Sequence, residues 1–173
     1  MSITACKKNE PTRERETPRK TLVAYFSATG VTEAAAKTLA SVVGGDLYKI
    51  EPATEYTARD LDWRDSLSRS SVEMRDTASR PALKSLNGDI SRYDTIYIGY
   101  PIWWYVAPRI INTFVEAHDL SGKTLIPFAT SGSSGITESV QALRKSYPGL
   151  VWKDGAMLTR ATSDDVRAWV DGK

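Results

Sequence analysis

An α/β fold with a doubly wound, five-stranded parallel sheet and helices on both faces is predicted by three features of this 173-residue sequence. Short, continuous apolar runs such as 22–26 and 95–100 are typical of parallel strands that are covered on both faces. Segments with helical apolar spacing alternate with these runs from Thr21 onward. The sequence contains no internal repeat and no boundary to a second domain.

The first three elements follow one another closely. The apolar run 22–26 predicts the first strand. Apolar residues then recur at helical spacing from Val31 to Val42, and the glycine pair 44–45 ends this helix. Residues 46–50 are a plausible second strand, so the chain begins with a strand–helix–strand unit.

The segment 51–90 mixes charges, serines and a few apolar residues. It predicts a long loop with one helix somewhere within 62–87. Segments of this kind often cover a site, and a lid, a partner surface or no role at all stay open here. We interpret Asp60, Asp62 and Arg64 as a solvated face.

The apolar run 95–100 predicts the third strand. A helix follows, with Pro108 in its first turn. His118 falls on its apolar side, so we expect a packed or half-exposed histidine rather than a catalytic one. The other apolar residues on that side are Ile110, Ile111, Phe114 and Val115.

The C-terminal elements complete the pattern. Residues 125–130 predict the fourth strand, although Pro127 is unusual in a central strand because it has no N–H group. Residues 136–147 predict a helix, and 151–158 the fifth strand. Ser163 is the expected N-cap of a final helix.

The charge distribution restricts the classes of partner. The chain has a formal charge of +2, and residues 1–20 carry six basic and three acidic side chains. The rest of the chain therefore sums to −1, which argues against a nucleic-acid-binding surface. With Cys6 as the only cysteine and His118 as the only histidine, a His/Cys metal site is excluded as well.

The first twenty residues are polar and aperiodic, so we expect a disordered tail over 1–20 and one domain over 21–173. No apolar run has membrane-spanning length, and we expect a cytoplasmic protein. The residues before Cys6 resemble the end of a bacterial lipoprotein signal, but only Met1 and Ser2 precede that stretch. Either the match is chance, or a signal lies upstream and Cys6 is a lipid anchor in the cell envelope.

Three unusual loops follow the first, third and fourth predicted strands, and we name them loop 1 (27–32), loop 2 (101–105) and loop 3 (130–135). Ligands of doubly wound sheets bind at the carboxyl ends of the strands, where the winding direction reverses. We adopt the strand order 2-1-3-4-5, one of the two common orders for such sheets. With that order, the three loops meet at one crevice.

Loop 1 opens a helix, where free backbone N–H groups and the helix dipole favour an anion. It contains hydroxyl side chains and one glycine but no lysine or arginine, so it matches neither a nucleoside triphosphate loop nor a dinucleotide fingerprint. We expect it to hold the single phosphate of a mononucleotide such as FMN, the alternative being a hydroxyl-capped turn. The candidate residues are Ser27, Ala28, Thr29, Gly30, Val31 and Thr32.

Loop 2 is rich in aromatic residues, on which a flat ring stacks well. In an extended segment, Trp103 and Trp104 would point to opposite sides, so we expect only one of them to stack on a bound ring. The alternative is that both pack into the core or into a homodimer interface. The candidate residues are Pro101, Ile102, Trp103, Trp104 and Tyr105.

Loop 3 consists of small residues, which allow close approach and supply amide and hydroxyl donors for the polar edge of a ring. Taken alone, it also fits a flexible linker between a strand and a helix. The candidate residues are Thr130, Ser131, Gly132, Ser133 and Gly135.

The stretches SATGVT, YPIWW with APRIINTFVE, and FATSGSSGI resemble the FMN loops of flavodoxins, and in particular those of the short flavodoxin-like FMN-binding proteins of bacteria. The resemblance extends over roughly 21–170. It implies a 2-1-3-4-5 sheet and one noncovalently bound FMN. It further implies phosphate contacts from loop 1, ring contacts from loop 2 and contacts with the ring edge from loop 3.

The resemblance implies electron transfer, with a redox partner protein or NAD(P)H as the partner. Shuttle flavodoxins are strongly acidic and commonly have a glycine in loop 2, whereas this domain is near neutral and residues 101–106 contain no glycine. An NAD(P)H-dependent FMN oxidoreductase acting on quinone, nitro or azo compounds therefore stays open, as does a flavin-free binding module. No acid–base residue is a candidate for catalysis.

Overall fold

The computed structural model describes residues 20–86 and 88–172. Apart from Lys20, the predicted tail lies outside these residues, and so does Cys6. The Lys20 carbonyl accepts hydrogen bonds from the Asp94 and Thr95 amides at the start of the sheet. In the described part of the chain, no helix is both long and apolar enough to cross a bilayer.

The sheet is parallel throughout and has the order β2-β1-β3-β4-β5, with β6 also pairing with β4. The predicted doubly wound α/β fold and its strand order are therefore confirmed. The strands are β1 (Thr21–Tyr25), β2 (Asp46–Lys49), β3 (Thr95–Pro101), β4 (Thr124–Thr130), β5 (Val151–Trp152) and β6 (Ala156–Met157).

Helices cover both faces of this sheet. On one face, α1 and α5 pack against residues such as Val23 and Phe128; on the other, α3 and α4 pack against residues such as Ile98. The helices are α1 (Val31–Val43), α2 (Arg69–Arg75), α3 (Arg109–Ala117), α4 (Thr137–Ser146) and α5 (Ser163–Asp171). The one helix expected within 62–87 is α2.

The single fifth strand predicted over 151–158 is wrong, because β5 and β6 are separate short strands. The carbonyls of Leu125 and Ala129 accept hydrogen bonds from the Lys153 and Leu158 amides, so alternate residues of β4 face this edge. Pro127 lies midway between them and has no N–H to donate. The sheet edge is therefore interrupted opposite Pro127.

Two helix ends differ from the predictions. The N-cap of α5 is Thr162 rather than Ser163, because the Thr162 hydroxyl and the Asp165 carboxylate form a reciprocal capping box. His118 lies just after α3, and its Nδ1 is 2.9 Å from the Phe114 carbonyl oxygen. The ring is half-buried against Phe114 and Tyr48, as expected of a packed histidine.

One glycine of β3 determines how closely the α1/α5 face packs. A Cβ on Gly99 would lie 2.1 Å from Cζ of Phe128, whose ring is fully buried. The missing side chain therefore lets the phenyl ring lie directly on β3, two residues before loop 2 begins at Pro101.

Candidate functional site

The three loops meet at a cleft of about 640 Å³ at the carboxyl ends of β1, β3 and β4. Most of the residues named from the sequence line it, together with four that were not named. The lining consists of Ala28, Thr29, Val31, Thr32, Leu61, Trp63, Ser70, Pro101, Ile102, Trp103, Trp104, Tyr105, Thr130, Ser133 and Ser134. This is the crevice expected from the strand order.

Loop 1 begins α1 without a side-chain cap. Gly30 is the N-cap residue with a φ of 91°, a conformation that favours glycine, and its carbonyl accepts the first helical bond from Ala34. The alternative of an ordinary hydroxyl-capped turn is therefore wrong. The first N–H groups of α1 have no partner within the helix, which leaves them available to an anion.

The residues of loop 1 face two different cavities. Thr29 and Thr32 line the cleft, whereas Ser27 and Gly30 line a smaller cavity of about 240 Å³ behind it. The reason is local, because the Ser27 hydroxyl accepts a hydrogen bond of 3.1 Å from the Gly30 amide and folds the turn.

The lining of the cleft contains no charged side chain. The nearest acidic residue of α1, Glu33 in its first turn, forms ion pairs of 2.7 Å with Lys37 and 3.7 Å with Lys49. The hydrogen bond from Lys37 holds the pKa of Glu33 below its usual value. An anion at loop 1 therefore meets dipoles and hydroxyls, with the charge of Glu33 compensated.

Loop 2 forms a tight turn that presents two aromatic side chains. Amide–carbonyl bonds of 3.0 and 3.1 Å join Trp103 and Val106 in both directions. The two residues between them, Trp104 and Tyr105, have φ values of 46° and 67°, the pattern of a type I′ turn. Asn-Gly is the usual sequence for such a turn, so a Trp-Tyr pair there is strained by about 1–3 kcal/mol per residue.

The two tryptophans of loop 2 have different surroundings. Trp103 packs edge-on against Phe26 and Tyr56, with ring centroids 5.7 and 5.4 Å apart. Trp104 remains 45% exposed at the cleft. Trp103 is thus largely a core residue at the cleft wall, and Trp104 is the indole with a free surface.

The Tyr56 side chain that supports Trp103 is itself held in place. Its hydroxyl donates a hydrogen bond of 2.5 Å to Glu73, and the Arg69 guanidinium lies 3.9 Å from its ring centroid. Arg69 also pairs with Glu73 and donates to the Thr54 carbonyl. Burial and the hydrogen bond to Glu73 raise the pKa of Tyr56 well above its usual value, so the phenol stays protonated.

Loop 3 is ordered by its own serine. The Ser131 hydroxyl accepts hydrogen bonds from the Ser133 and Ser134 amides, and the Ser131 amide donates 2.8 Å to the Thr159 hydroxyl. Ser131, Gly132 and Gly135 are absent from the cleft lining. The loop therefore presents Ser133 and Ser134 to the cleft.

Thr130 connects all three loops. Its hydroxyl lies 2.8 Å from the Thr32 hydroxyl of loop 1, and both side chains are buried, at 3% and 1% exposure. Its carbonyl accepts a 2.9 Å hydrogen bond from the Ile102 amide of loop 2. Together these bonds fix the relative positions of the three loops.

Four residues of the cleft were missed by the sequence analysis, and three of them come from the segment 51–90. Leu61, Trp63 and Ser70 come from that segment, and Ser134 belongs to loop 3. A tryptophan within a polar segment was the one available signal. The fold of this segment brings them to the cleft, as the Ser70 amide donates to the Asp60 carbonyl.

Of the three residues interpreted as a solvated face, Asp62 and Arg64 are exposed and Asp60 is half-buried. The two carboxylates also bind backbone amides of their own segment. The Asp60 carboxylate accepts hydrogen bonds from the Thr57 amide and hydroxyl, which lower its pKa. The Asp62 carboxylate accepts one from the Arg64 amide. Both carboxylates thus shape turns. Over residues 20–86 and 88–172, no group of three or more His, Cys, Asp and Glu side chains is arranged to hold a metal ion.

A family model described as flavodoxin matches residues 20–173. The chain belongs to the flavodoxin family. The family prediction made from the three loops is therefore confirmed, and the match covers nearly the whole chain. No curated protein sequence matches significantly.

Solved structures agree with this assignment. A candidate flavoprotein from Bacteroides eggerthii is 58% identical, with a TM-score of 0.87 over 88% of this chain and 96% of that one. A second, from Bacteroides uniformis, is also 58% identical, with a TM-score of 0.87 over 88% and 98%. A Lactobacillus acidophilus flavoprotein in complex with FMN is 22% identical, with a TM-score of 0.68 over 88% and 99%, and it shows the shared fold.

Membership of the flavodoxin family confirms FMN as the cofactor expected from the sequence. The cleft of this flavodoxin fits that group chemically. It combines an uncapped helix start and hydroxyls, suited to a phosphate, with an exposed indole, suited to a flat ring.

Proposed function

We propose that this flavodoxin binds one FMN in the cleft and acts in electron transfer. The observation that carries the proposal is the meeting of two features in one charge-free cleft, namely the uncapped start of α1 and the exposed Trp104 indole. When bound, the flavin supplies the redox chemistry, and the protein supplies binding, orientation and access.

The phosphate is proposed to bind at loop 1, on the free amides of α1 with hydroxyl donors from Thr29 and Thr32. Trp104 is proposed to stack on the ring, and Trp103 to form a fixed wall behind it. The proposed contacts are those of the sequence analysis, with Ser27, Gly30, Ser131, Gly132 and Gly135 in supporting positions and Leu61, Trp63, Ser70 and Ser134 added.

An absorption spectrum of the purified protein tests FMN binding. We expect flavin bands, release of FMN on denaturation, and rebinding of FMN far more tightly than riboflavin, because riboflavin lacks the phosphate. A colourless protein that takes up no added FMN would refute the proposal and favour the flavin-free binding module. Equal affinity for FMN and riboflavin would refute the proposal that loop 1 binds the phosphate.

An NAD(P)H-dependent oxidoreductase is the second candidate, and the charge of the domain favours it. Beyond residue 20 the chain sums to −1, without the strongly acidic surface that steers a shuttle flavodoxin to basic partners. Rapid bleaching of the bound flavin by NADPH alone would establish the enzyme. Bleaching only in the presence of a reductase protein would establish the carrier.

Several predictions remain as stated from the sequence. They are the division into a tail over 1–20 and a domain over 21–173, and a redox partner protein or NAD(P)H as the partner. A homodimer stays open as the oligomeric state. The cytoplasmic location and its alternative, a lipid anchor at Cys6, also remain predictions.

A further inference from the structure

A second cavity, of about 300 Å³, lies beside the cleft and shares the indoles of Trp63 and Trp104 with it. We call it the side cavity. It is lined by Trp63, Arg64, Ser66, Ser71, Met74, Arg75 and Trp104. Its volume is at the lower end of the range for small-molecule sites.

The side cavity has a positive lining. Arg64 and Arg75 are exposed, and no acidic side chain is part of the lining. Among the described residues neither guanidinium has a carboxylate partner, whereas Arg69 and Arg80 are both paired. Arg75 lies in the last turn of α2, where the helix dipole by itself favours a positive charge. Arg64 lies outside the helices, so the helix dipole does not account for its position.

Aromatic surface accompanies this charge. Trp63 is 67% exposed and Trp104 is 45% exposed, so both keep indole surface free for a ligand. The Arg64 guanidinium lies 5.4 Å from the Trp63 ring centroid, which places a cation next to a stacking surface. Ser66 adds a hydroxyl group to the lining.

We propose that the side cavity binds a planar aromatic ligand that bears a carboxylate or sulfonate group. The ring lies against Trp63 and Trp104, and the anionic group lies at Arg64 and Arg75. Because Trp63 and Trp104 also line the cleft, this ligand is adjacent to the cofactor, and in that respect the inference rests on the proposed binding of FMN. For the oxidoreductase, the second candidate, it describes the substrate class.

Binding of a redox-inert probe tests the proposal. FMN-loaded protein is titrated by calorimetry with naphthalene-2-sulfonate and, separately, with the neutral 2-naphthalenemethanol. We expect the sulfonate to bind about tenfold more tightly, because each guanidinium adds a charge-assisted hydrogen bond. Equal affinities, or no binding of either probe at millimolar concentration, would overturn the assignment.

Variants separate the contributions of charge and stacking. The double substitution Arg64→Gln and Arg75→Gln should weaken sulfonate binding by about tenfold and leave the neutral probe unchanged. Trp63→Leu should weaken both probes. Arg59→Gln removes an exposed arginine outside the cavities and should change neither. Loss of sulfonate affinity in Arg59→Gln equal to that in the double variant would refute a specific site.

The flavin content of each sample keeps this test separate from the proposed function. FMN is measured by absorbance before the probe is added. Protein that cannot be loaded with FMN refutes the proposed function, whatever the probe does. Loaded protein that does not discriminate between the sulfonate and the neutral probe refutes only the side cavity.

Discussion

Replacing Thr32 by valine is expected to weaken both the fold and FMN binding, because its hydroxyl joins loop 1 to loop 3. The bond to the Thr130 hydroxyl is 2.8 Å long, and both side chains are almost fully buried. Removing one partner leaves the other without this bond, away from water. Such a loss costs about 1–3 kcal/mol, so Thr32→Val should lower the free energy of unfolding by about 2 kcal/mol.

A double-mutant cycle with Thr130→Val measures the bond itself. Replacing both hydroxyls by methyl groups leaves no unpaired partner, so the double variant should be destabilised by less than the sum of the two single variants. We expect a coupling energy of about 1 kcal/mol. Urea unfolding of the flavin-free protein gives these values without the stabilisation that a ligand adds.

FMN affinity provides the second measurement. The loss of the Thr32 hydroxyl should raise the dissociation constant of FMN at least about tenfold, since a hydrogen bond to a charged group contributes about 1.5–3 kcal/mol. Thr38→Val is a matched control on the same helix, because among the described residues the Thr38 hydroxyl bonds only to the Ala34 carbonyl. Additive stability losses together with an unchanged dissociation constant in Thr32→Val would refute the role of this bond.

Three further changes test other parts of the molecule. Gly99→Ala should destabilise the protein by about 3 kcal/mol, because its Cβ would overlap the ring of Phe128. Gly149→Ala is the control, since open space surrounds that position. Equal urea midpoints of the two variants would contradict this packing. Tyr105→Gly should stabilise the flavin-free protein by about 1 kcal/mol, because glycine adopts the positive φ of this position without strain. Tyr105→Ala keeps the strain and should not stabilise the protein. Equal urea midpoints of these two variants would argue against strain. Burial raises the pKa of Tyr100 to about 12, so the folded protein holds a proton that the unfolded chain releases above pH 10. The free energy of unfolding should therefore fall by about 1.4 kcal/mol between pH 9 and pH 11 relative to Tyr100→Phe, and parallel pH profiles would contradict this.

Local sequence patterns were sufficient for the fold class and for the position of the cleft. Continuous apolar runs such as 22–26 are typical of strands that are covered on both faces, and their alternation with helices favours a parallel sheet. The composition of loop 1 indicated a phosphate site without a cation, because hydroxyls and a glycine at a helix start are visible in the sequence. The strand order then placed the three loops at one edge.

The tertiary structure decided which side chains face the cleft. Ser131 turns into its own loop because Thr159, distant in sequence, binds its backbone. Trp63 reaches the cleft from a segment without periodicity, and Trp104 is exposed by a turn with positive φ that the sequence does not suggest. The direction of a side chain depends on backbone angles fixed by hydrogen bonds between distant residues, and local patterns do not contain that information.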